Sequence, residues 1–465
     1  MKTILILLTM LLTSSSLTAQ DITGQWNGLL KVQGTQLRLV FNVDKTDSGY
    51  SSTLDSPDQG ANGIPVTSTT FEDLKIKFEV ANLGIEYIGK LKESEITGTF
   101  KQSGQEFPLT LSRTAVEKVE TKRPQEPVKP YPYYSEDITF QNVKANISLT
   151  GALTLPEKEG SFPVVIMISG SGPQNRDEEL LGHKPFLVIS DHLTKNGIGV
   201  LRFDDRGVGK SEGEFKTSTS ADFATDVESA VAYLKTRKEI DKKKIGLMGH
   251  SEGGLIAPMV ASQSEDVSFI VLLAGTGLRG DSIVLLQQAL IAKADGASDS
   301  DIEETTDAFT KAVDIVMKSD DDQKLKTDLT NFINKLIEDD PSAEIPSGMT
   351  REEFVSAQVN EISSPWMKYF LKLDPAIALE KVKCPVLAIN GEKDLQVPPR
   401  ENLEAIKKAL VKGGNEKVTT VELPNLNHLF QECETGSPKE YANIEQTFSP
   451  TALNIILDWI KAQTK

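Results

Sequence analysis

Hydrophobic positions along this chain follow two different periods, and the change falls near residue 138. From residue 21 to 113 the period is two. Leu37, Leu39, Phe41 and Val43 alternate with Arg38 and Asn42, and Ile76, Phe78 and Val80 alternate with Lys77 and Glu79; Ile85, Tyr87 and Leu91 continue the pattern. Alternation sends successive side chains to opposite faces of a strand, so each strand buries one face. Turn-forming clusters, Asp47-Ser48-Gly49, Gly60-Ala61-Asn62-Gly63 and Ser103-Gly104, separate the runs. The pattern predicts a small all-β domain over residues 21–113, a meander or partly closed barrel that opens at Gly24-Gln25-Trp26, with Trp26 expected in its core and a ligand platform as the alternative.

Residues 114–137 carry Pro124, Pro127, Pro130 and Pro132 among charged residues and read as a linker. Beyond them, wholly apolar runs at residues 164–168, 199–203, 245–248, 268–273 and 386–389 alternate with amphipathic stretches. One such stretch is Phe223, Val227, Ala230, Val231 and Leu234, on one face of a helix. Apolar runs without alternation fit strands covered by helices on both faces. The expectation for residues 138–465 is an α/β domain with a mainly parallel sheet, whose last helix opens at Ser449-Pro450, a cap followed by a suitable first residue. Residues 278–373 interrupt the alternation with an acidic helical insertion holding Asp320-Asp321-Asp322 and Asp339-Asp340. Placed after the sixth strand, it is expected to form a lid over the site; the alternative is a solvated bundle without contact to substrate.

The chain has 465 residues, 38% of them apolar and 25% charged, which fits a soluble globular protein of two domains. Met1-Lys2 precedes an apolar run at residues 4–12, and Ser14, Ser15, Ser16 and Ala19 follow, so residues 1–19 read as a signal peptide and the protein as periplasmic or extracellular. The run is too short to span a membrane, and no membrane insertion is expected after the signal is removed. No cysteine follows it, so lipid attachment is not indicated. Cys384 and Cys433 are expected at opposite ends of the sheet, unpaired. A net charge of −17 argues against nucleic acid, anionic membrane surfaces and strongly anionic substrates as partners. Histidines and cysteines are scattered, with no metal-ligand spacing, and no cofactor is expected.

The chemistry centres on Gly249-His250-Ser251-Glu252-Gly253, which follows an apolar run and precedes a helix-compatible stretch at residues 254–260. A G-x-S-x-G between strand and helix makes a sharp turn that strains the serine backbone and lifts its hydroxyl above the sheet. A serine hydroxyl needs a base, and imidazole is the usual one. Of four histidines, His250 neighbours the serine and points elsewhere, His192 lies in a helix beside Ile189 and Leu193, and His183 sits in a loop. His428 remains, in a loop after the strand at residues 418–423. A carboxylate must hold its tautomer, and Asp394 in Asn390-Gly391-Glu392-Lys393-Asp394 fits, with Glu392 as the alternative. The oxyanion donors are expected to be the backbone N–H of Glu252 and that of Ser171 in Ser169-Gly170-Ser171-Gly172-Pro173, with Gly172 as its substitute. Asp205-Arg206-Gly207-Val208-Gly209-Lys210-Ser211 lacks the spacing of a phosphate loop and reads as a structural turn whose Asp and Arg lock neighbouring loops.

At these motifs, together with Asn427-His428, the chain resembles the α/β-hydrolase superfamily over about residues 138–465. Pro173-Gln174-Asn175-Arg176-Asp177 and Ser364-Pro365-Trp366 are similar to a bacterial secreted carboxylesterase branch filed beside serine aminopeptidase-like hydrolases. Many members open the oxyanion loop with His-Gly; this chain has Ser169-Gly170. The resemblance assigns no role and no partner to the β domain. The expected function is an exported serine hydrolase, a carboxylesterase acting on a small-molecule ester of short to medium acyl length, with Trp366, Tyr369 and Phe370 either lining the acyl pocket or sitting in the core. The alternatives are a peptidase or acyltransferase with the same triad, or a catalytically silent binding protein.

Overall fold

The computed structural model describes residues 21–32, 35–47, 49–59, 61–102, 105–117, 122–340, 345 and 349–465. The expected signal peptide lies outside these residues, as do Ser48, Gly60, Ser103 and Gly104 of the expected turns and residues 118–121 of the expected linker. Two compact units form, one largely from residues 21–117 and the other largely from residues 122–465.

The first unit, among the described residues, consists of β1 (Gly24–Val32), β2 (Thr35–Thr46), β3 (Gly49–Ser56), β4 (Ala61–Pro65), β5 (Ser68–Glu72), β6 (Lys75–Val80), β7 (Ile85–Lys92), β8 (Glu95–Gln102) and β9 (Gln105–Ser112). They build one sheet in the order β4-β3-β2-β1-β9-β8-β7-β6-β5, an antiparallel half-barrel. The period-two residues face inward as expected: Trp26, Phe41, Phe78, Tyr87 and Phe100 are all at most 1% exposed. Phe41 stacks on Phe78 with ring centroids 4.3 Å apart. The two buried polar aromatics are satisfied locally, since Trp26 Nε1 donates to the Ile22 carbonyl at 2.8 Å and the Tyr87 hydroxyl to that of Ile96 at 2.9 Å. The β5–β6 turn is closed by Asp73 and Leu74, both at positive φ (50° and 64°), as a two-residue hairpin of this hand requires.

The second unit alternates strands and helices. Its elements are β10 (Tyr134–Asn142), β11 (Ile147–Leu155), β12 (Phe162–Ile168), α1 (Pro185–Lys195), β13 (Gly199–Phe203), α2 (Ser220–Thr236), β14 (Ile240–His250), α3 (Glu252–Ala261) and β15 (Phe269–Leu273). Then come the helices α4 (Gly280–Ala294), α5 (Asp299–Lys318), α6 (Asp322–Asp339), α7 (Arg351–Ile362), α8 (Pro365–Lys372) and α9 (Ala376–Leu379). The chain ends with β16 (Val386–Gly391), α10 (Pro399–Lys412), β17 (Val418–Leu423) and α11 (Pro450–Gln463). Sheet order is β10-β11-β13-β12-β14-β15-β16-β17, parallel from β13 to β17, with β10 and β11 antiparallel. This is the α/β-hydrolase fold. The apolar runs are strands buried on both faces: Val164 and Ile166 pack toward α2, α3 and α10, while Val165 and Met167 pack toward α1 and α11.

Two expectations need correction. The linker does not run to Asp137, because β10 begins at Tyr134; Ser135 and Asp137 face solvent from an edge strand, so the segment carried little apolar signal. Residues 122–133 are also fastened to the α/β unit. Arg123 donates to the carbonyls of Gly182 and Ala442, and Gln125 bonds the backbone of Thr447 and Phe448. The second correction concerns Ser449, which occupies the cap position of α11 while its buried hydroxyl makes no hydrogen bond among the described residues. Cys384 and Cys433 are free thiols.

The insertion between β15 and β16 has a core of its own, in which Val313 and Val316 of α5, Leu325 and Leu329 of α6, Val359 of α7 and Leu371 of α8 are buried together. In the β unit, Phe41→Ala should cost about 3–5 kcal/mol, since it empties an aromatic site at the centre of a small core. Urea unfolding followed by circular dichroism reads this as a lowered midpoint with an unchanged slope.

Candidate active site

β14 ends at His250 and α3 starts at Glu252, leaving Ser251 alone to turn the chain. Its backbone sits at φ 51° and ψ −115°, a region that costs a non-glycine residue of the order of 1–3 kcal/mol. The surroundings fix it there: Ser251 N donates to the Leu273 carbonyl of β15 at 2.9 Å, and Gly254 N donates to the Ser251 carbonyl at 2.9 Å. Two glycines are sterically required. A Cβ on Gly249 would lie 1.9 Å from the Gly253 carbonyl oxygen, and one on Gly253 would lie 2.1 Å from that of Ile168.

Strand register brings the remaining residues to this edge. Ile168 of β12 pairs with Gly249 of β14, so the loop from Ser169 onward leaves the sheet beside the turn. Gly391 of β16 pairs with Leu423 of β17, which sets the Asp394 loop next to the loop of His428. Asp394 and His428 are 2% and 4% exposed, and His428 Nδ1 lies 2.8 Å from Asp394 Oδ2. The other carboxylate oxygen accepts the N–H groups of Gln396 and Val397, each at 2.8 Å. With the Nδ1 proton directed at a carboxylate, Nε2 is left as the acceptor. Glu392 instead accepts the Asn425 N–H at 2.9 Å, so Asp394 is the carboxylate on the ring.

His428 reaches the serine turn through its backbone. His250 Nε2 lies 3.0 Å from the His428 carbonyl oxygen, the two rings are 4.8 Å apart at their centroids, and His250 Nδ1 lies 3.0 Å from Glu178 Oε1. Among the described residues Ser251 Oγ makes no hydrogen bond to His428; in hydrolases this contact commonly tightens only when substrate is bound. Of the other histidines, His183 is held by Thr447 and the Tyr441 carbonyl, and burial pushes its imidazole down to about 4. His192 lies in α1 as expected, and burial lowers it too.

Ser251, Glu252 and Ser171 share one cavity of about 630 Å³. Glu252 N opens α3, where the helix dipole adds to its donor strength. In the neighbouring loop Gly170 N is already donated to Glu178 Oε1 at 2.7 Å, which leaves Ser171 as the next donor along. The insertion supplies much of the cavity wall, through Ile283, Val284 and Ile291 of α4 and Trp366, Met367 and Phe370 of α8. The insertion thus borders the cavity that holds the serine; Trp366 and Phe370 line that cavity and Tyr369 does not. The Trp366 ring stacks on Phe370, centroids 5.0 Å apart, and its Nε1 donates to Glu252 Oε1 at 2.8 Å. Ser220 Oγ donates to the same oxygen at 2.6 Å, while burial holds the Glu252 carboxyl above the usual range.

The segment after β13 is a structural turn that ties loops together. Asp205 accepts from Ser169 Oγ at 2.7 Å and Gln174 N at 2.9 Å, and Arg206 pairs with Asp226 at 2.8 Å. Two contacts at this edge went unread in the sequence: the Glu178 carboxylate, in what looks like an ordinary charged loop, and the Trp366–Glu252 bond. No group of His, Cys, Asp or Glu among the described residues could hold a metal ion.

Residues 146–420 match the family described as X-Pro dipeptidyl-peptidase (S15 family). Among relatives, Esterase EstD of Thermotoga maritima is 28% identical over 323 residues, covering 68% of this chain and 64% of its own length. Thiohydrolase aneE of Aspergillus aculeatus is 32% identical over 139 residues, 30% of this chain and 40% of that protein. Among solved structures, the Pyrococcus furiosus esterase Pf2001 aligns with a TM-score of 0.42 at 17% identity, covering 71% of this chain and 93% of that one. The α/β hydrolase GrgF from Penicillium gives 0.42 at 16% identity, covering 71% and 99%.

Burial pushes Asp205 up to about 8, against the two hydrogen bonds it accepts. A carboxyl raised on folding favours the folded state at low pH, and that advantage is lost as pH climbs toward about 8. The melting temperature of Asp205→Asn relative to that of wild type should therefore rise from pH 5 to pH 8–9; calorimetry across that range checks it.

Proposed function

We propose that this chain, which belongs to the X-Pro dipeptidyl-peptidase (S15) family, is a serine carboxylesterase that cleaves short to medium acyl esters through an acyl-enzyme. Ser251 Oγ attacks the ester carbonyl while His428 Nε2 takes its proton, and Asp394 stabilises the imidazolium that forms. The oxyanion is met by the N–H groups of Glu252 and Ser171. His428 then returns the proton to the leaving alcohol. A water molecule, deprotonated by the same ring, attacks the acyl-enzyme and releases the acid.

The observation that carries this reading is the 2.8 Å bond between His428 Nδ1 and Asp394 beside a serine held in a strained turn. The largely apolar wall of the cavity supports an acyl group, and its volume of about 630 Å³ supports a chain of modest length. That Esterase EstD is called an esterase adds support over the part the two share. A peptidase is the second reading, favoured by the description of the matched family. Export is part of the proposal and rests on the signal-like residues 1–19.

Ser251→Ala should lower p-nitrophenyl ester hydrolysis by about 10⁴-fold or more at unchanged melting temperature, and undiminished turnover would remove the serine from the mechanism. Parallel rates on p-nitrophenyl acetate through octanoate and on an X-Pro p-nitroanilide separate the two readings. Faster cleavage of the anilide would overturn the esterase.

A further inference from the structure

We propose that His250 and Glu178 are a buried positioning pair that ties the oxyanion loop to the loop of the catalytic histidine and so holds His428 in line with Ser251. The proposal rests on the reading of Ser251, His428 and Asp394 as the triad. Three short contacts form the chain of connection: Gly170 N to Glu178 Oε1 at 2.7 Å, His250 Nδ1 to the same oxygen at 3.0 Å, and His250 Nε2 to the His428 carbonyl oxygen at 3.0 Å. The four residues lie on three segments: Gly170 and Glu178 in the loop after β12, His250 at the end of β14 and His428 in the loop after β17.

Proton counting limits the states of the pair. A carboxylate and a carbonyl are both acceptors, and a neutral imidazole has only one N–H to offer. His250 satisfies both as the imidazolium facing a Glu178 carboxylate, or as the neutral ring donating from Nε2 while the Glu178 carboxyl donates to Nδ1; either way the pair holds one proton beyond a neutral ring and a carboxylate. The two are 7% and 5% exposed, so neither finds its partner in water. An ionised pair this deeply buried is costly unless every partner is in place. Burial alone would lower His250, yet Glu178, the His428 carbonyl and Asp394 together hold the ring above its ordinary value. The titratable groups facing it are Glu178, His428 and, behind His428, Asp394; Phe186, Ile189, Leu273, Leu429 and Phe448 complete the enclosure.

Backbone geometry points the same way. Glu178 sits at φ 50°, so its loop accepts a left-handed residue in placing that carboxylate. Gly170 is small where a Cβ would stand 3.2 Å from Glu178 Oε1, 3.3 Å from Ser251 Cβ and 3.5 Å from His250 Nδ1. The His428 carbonyl belongs to the residue whose ring must meet the serine, so anchoring it sets the peptide plane from which that ring projects. A misplacement of the order of 1 Å in such a group costs about 10²-fold in rate.

The test compares His250→Gln, His250→Ala and Glu178→Gln with wild type in steady-state p-nitrophenyl ester hydrolysis and in fluorophosphonate labelling. His250→Gln and His250→Ala should lose about 10- to 100-fold in kcat with KM changed by less than about twofold. Glu178→Gln keeps an oxygen for Gly170 and for one His250 N–H but cannot sustain the cation, so it should fall between wild type and His250→Gln. Its near-identical shape also makes it the deciding variant if His250→Ala does not fold. Because the bridge exists while His250 is protonated, wild-type kcat should decline as pH rises through the raised value of that ring. Glu178→Gln should move the decline to lower pH, and His250→Gln should lack it. A His250→Gln enzyme with wild-type kcat and pH profile overturns the pairing, as does a loss carried by KM alone. Labelling of wild type but not of Ser251→Ala shows that the triad reading stands independently; a wild type that does not label sinks that reading instead.

Discussion

The site depends first on a steric constraint. Ser251 projects from the sheet because the strand before it and the helix after it approach closer than any side chain would allow, with the Gly249 and Gly253 positions closed to a Cβ by neighbouring carbonyls. That contact forces the serine into its left-handed conformation, and bonds to Leu273 and from Gly254 keep it there. Parallel pairing of β12, β14, β15, β16 and β17 then brings every other group of the site to the same edge, since each projects from a loop at the carboxyl end of its strand. Strain at one residue is thus sustained by a sheet buried on both faces.

Four carboxyl groups surround this turn, and their partners divide them. Asp394 and Glu178 each face an imidazole, on His428 and His250. Glu252 and Asp205 face hydroxyls, an indole N–H and a backbone N–H, and burial raises both. The same residue type therefore faces an imidazole in one half of the site and neutral donors in the other, where burial favours the uncharged carboxyl. Selectivity of this kind needs no metal and no unusual side chain, only control over which donor meets which oxygen.

Much of this was legible in the chain. The apolar run at residues 199–203 marked β13 to the residue, the strand expected at 418–423 is β17, and the loop expected to hold His428 follows it. The parts that escaped share a cause: their signals are polar and their partners distant in sequence. Glu178 looks like one more acidic residue until Gly170 and His250 converge on it. Arg123 and Gln125 looked like linker because their acceptors are carbonyls some three hundred residues away. Leu74 closes a hairpin in a conformation leucine rarely adopts, which no local preference announces. Trp366 was visible as a pocket candidate, but its bond to Glu252 required the insertion to be seen folded over the sheet.

That last bond couples two parts that would otherwise vary separately. The indole of α8 grips the side chain of the residue whose main-chain amide stands beside the serine. Any displacement of α8 strips a donor from a buried acid and loosens the first turn of α3. Under the proposed mechanism, a bulky guest that breaks this bond would also weaken stabilisation of the oxyanion. In that reading, guests that leave the indole in place would be favoured over those that push it aside.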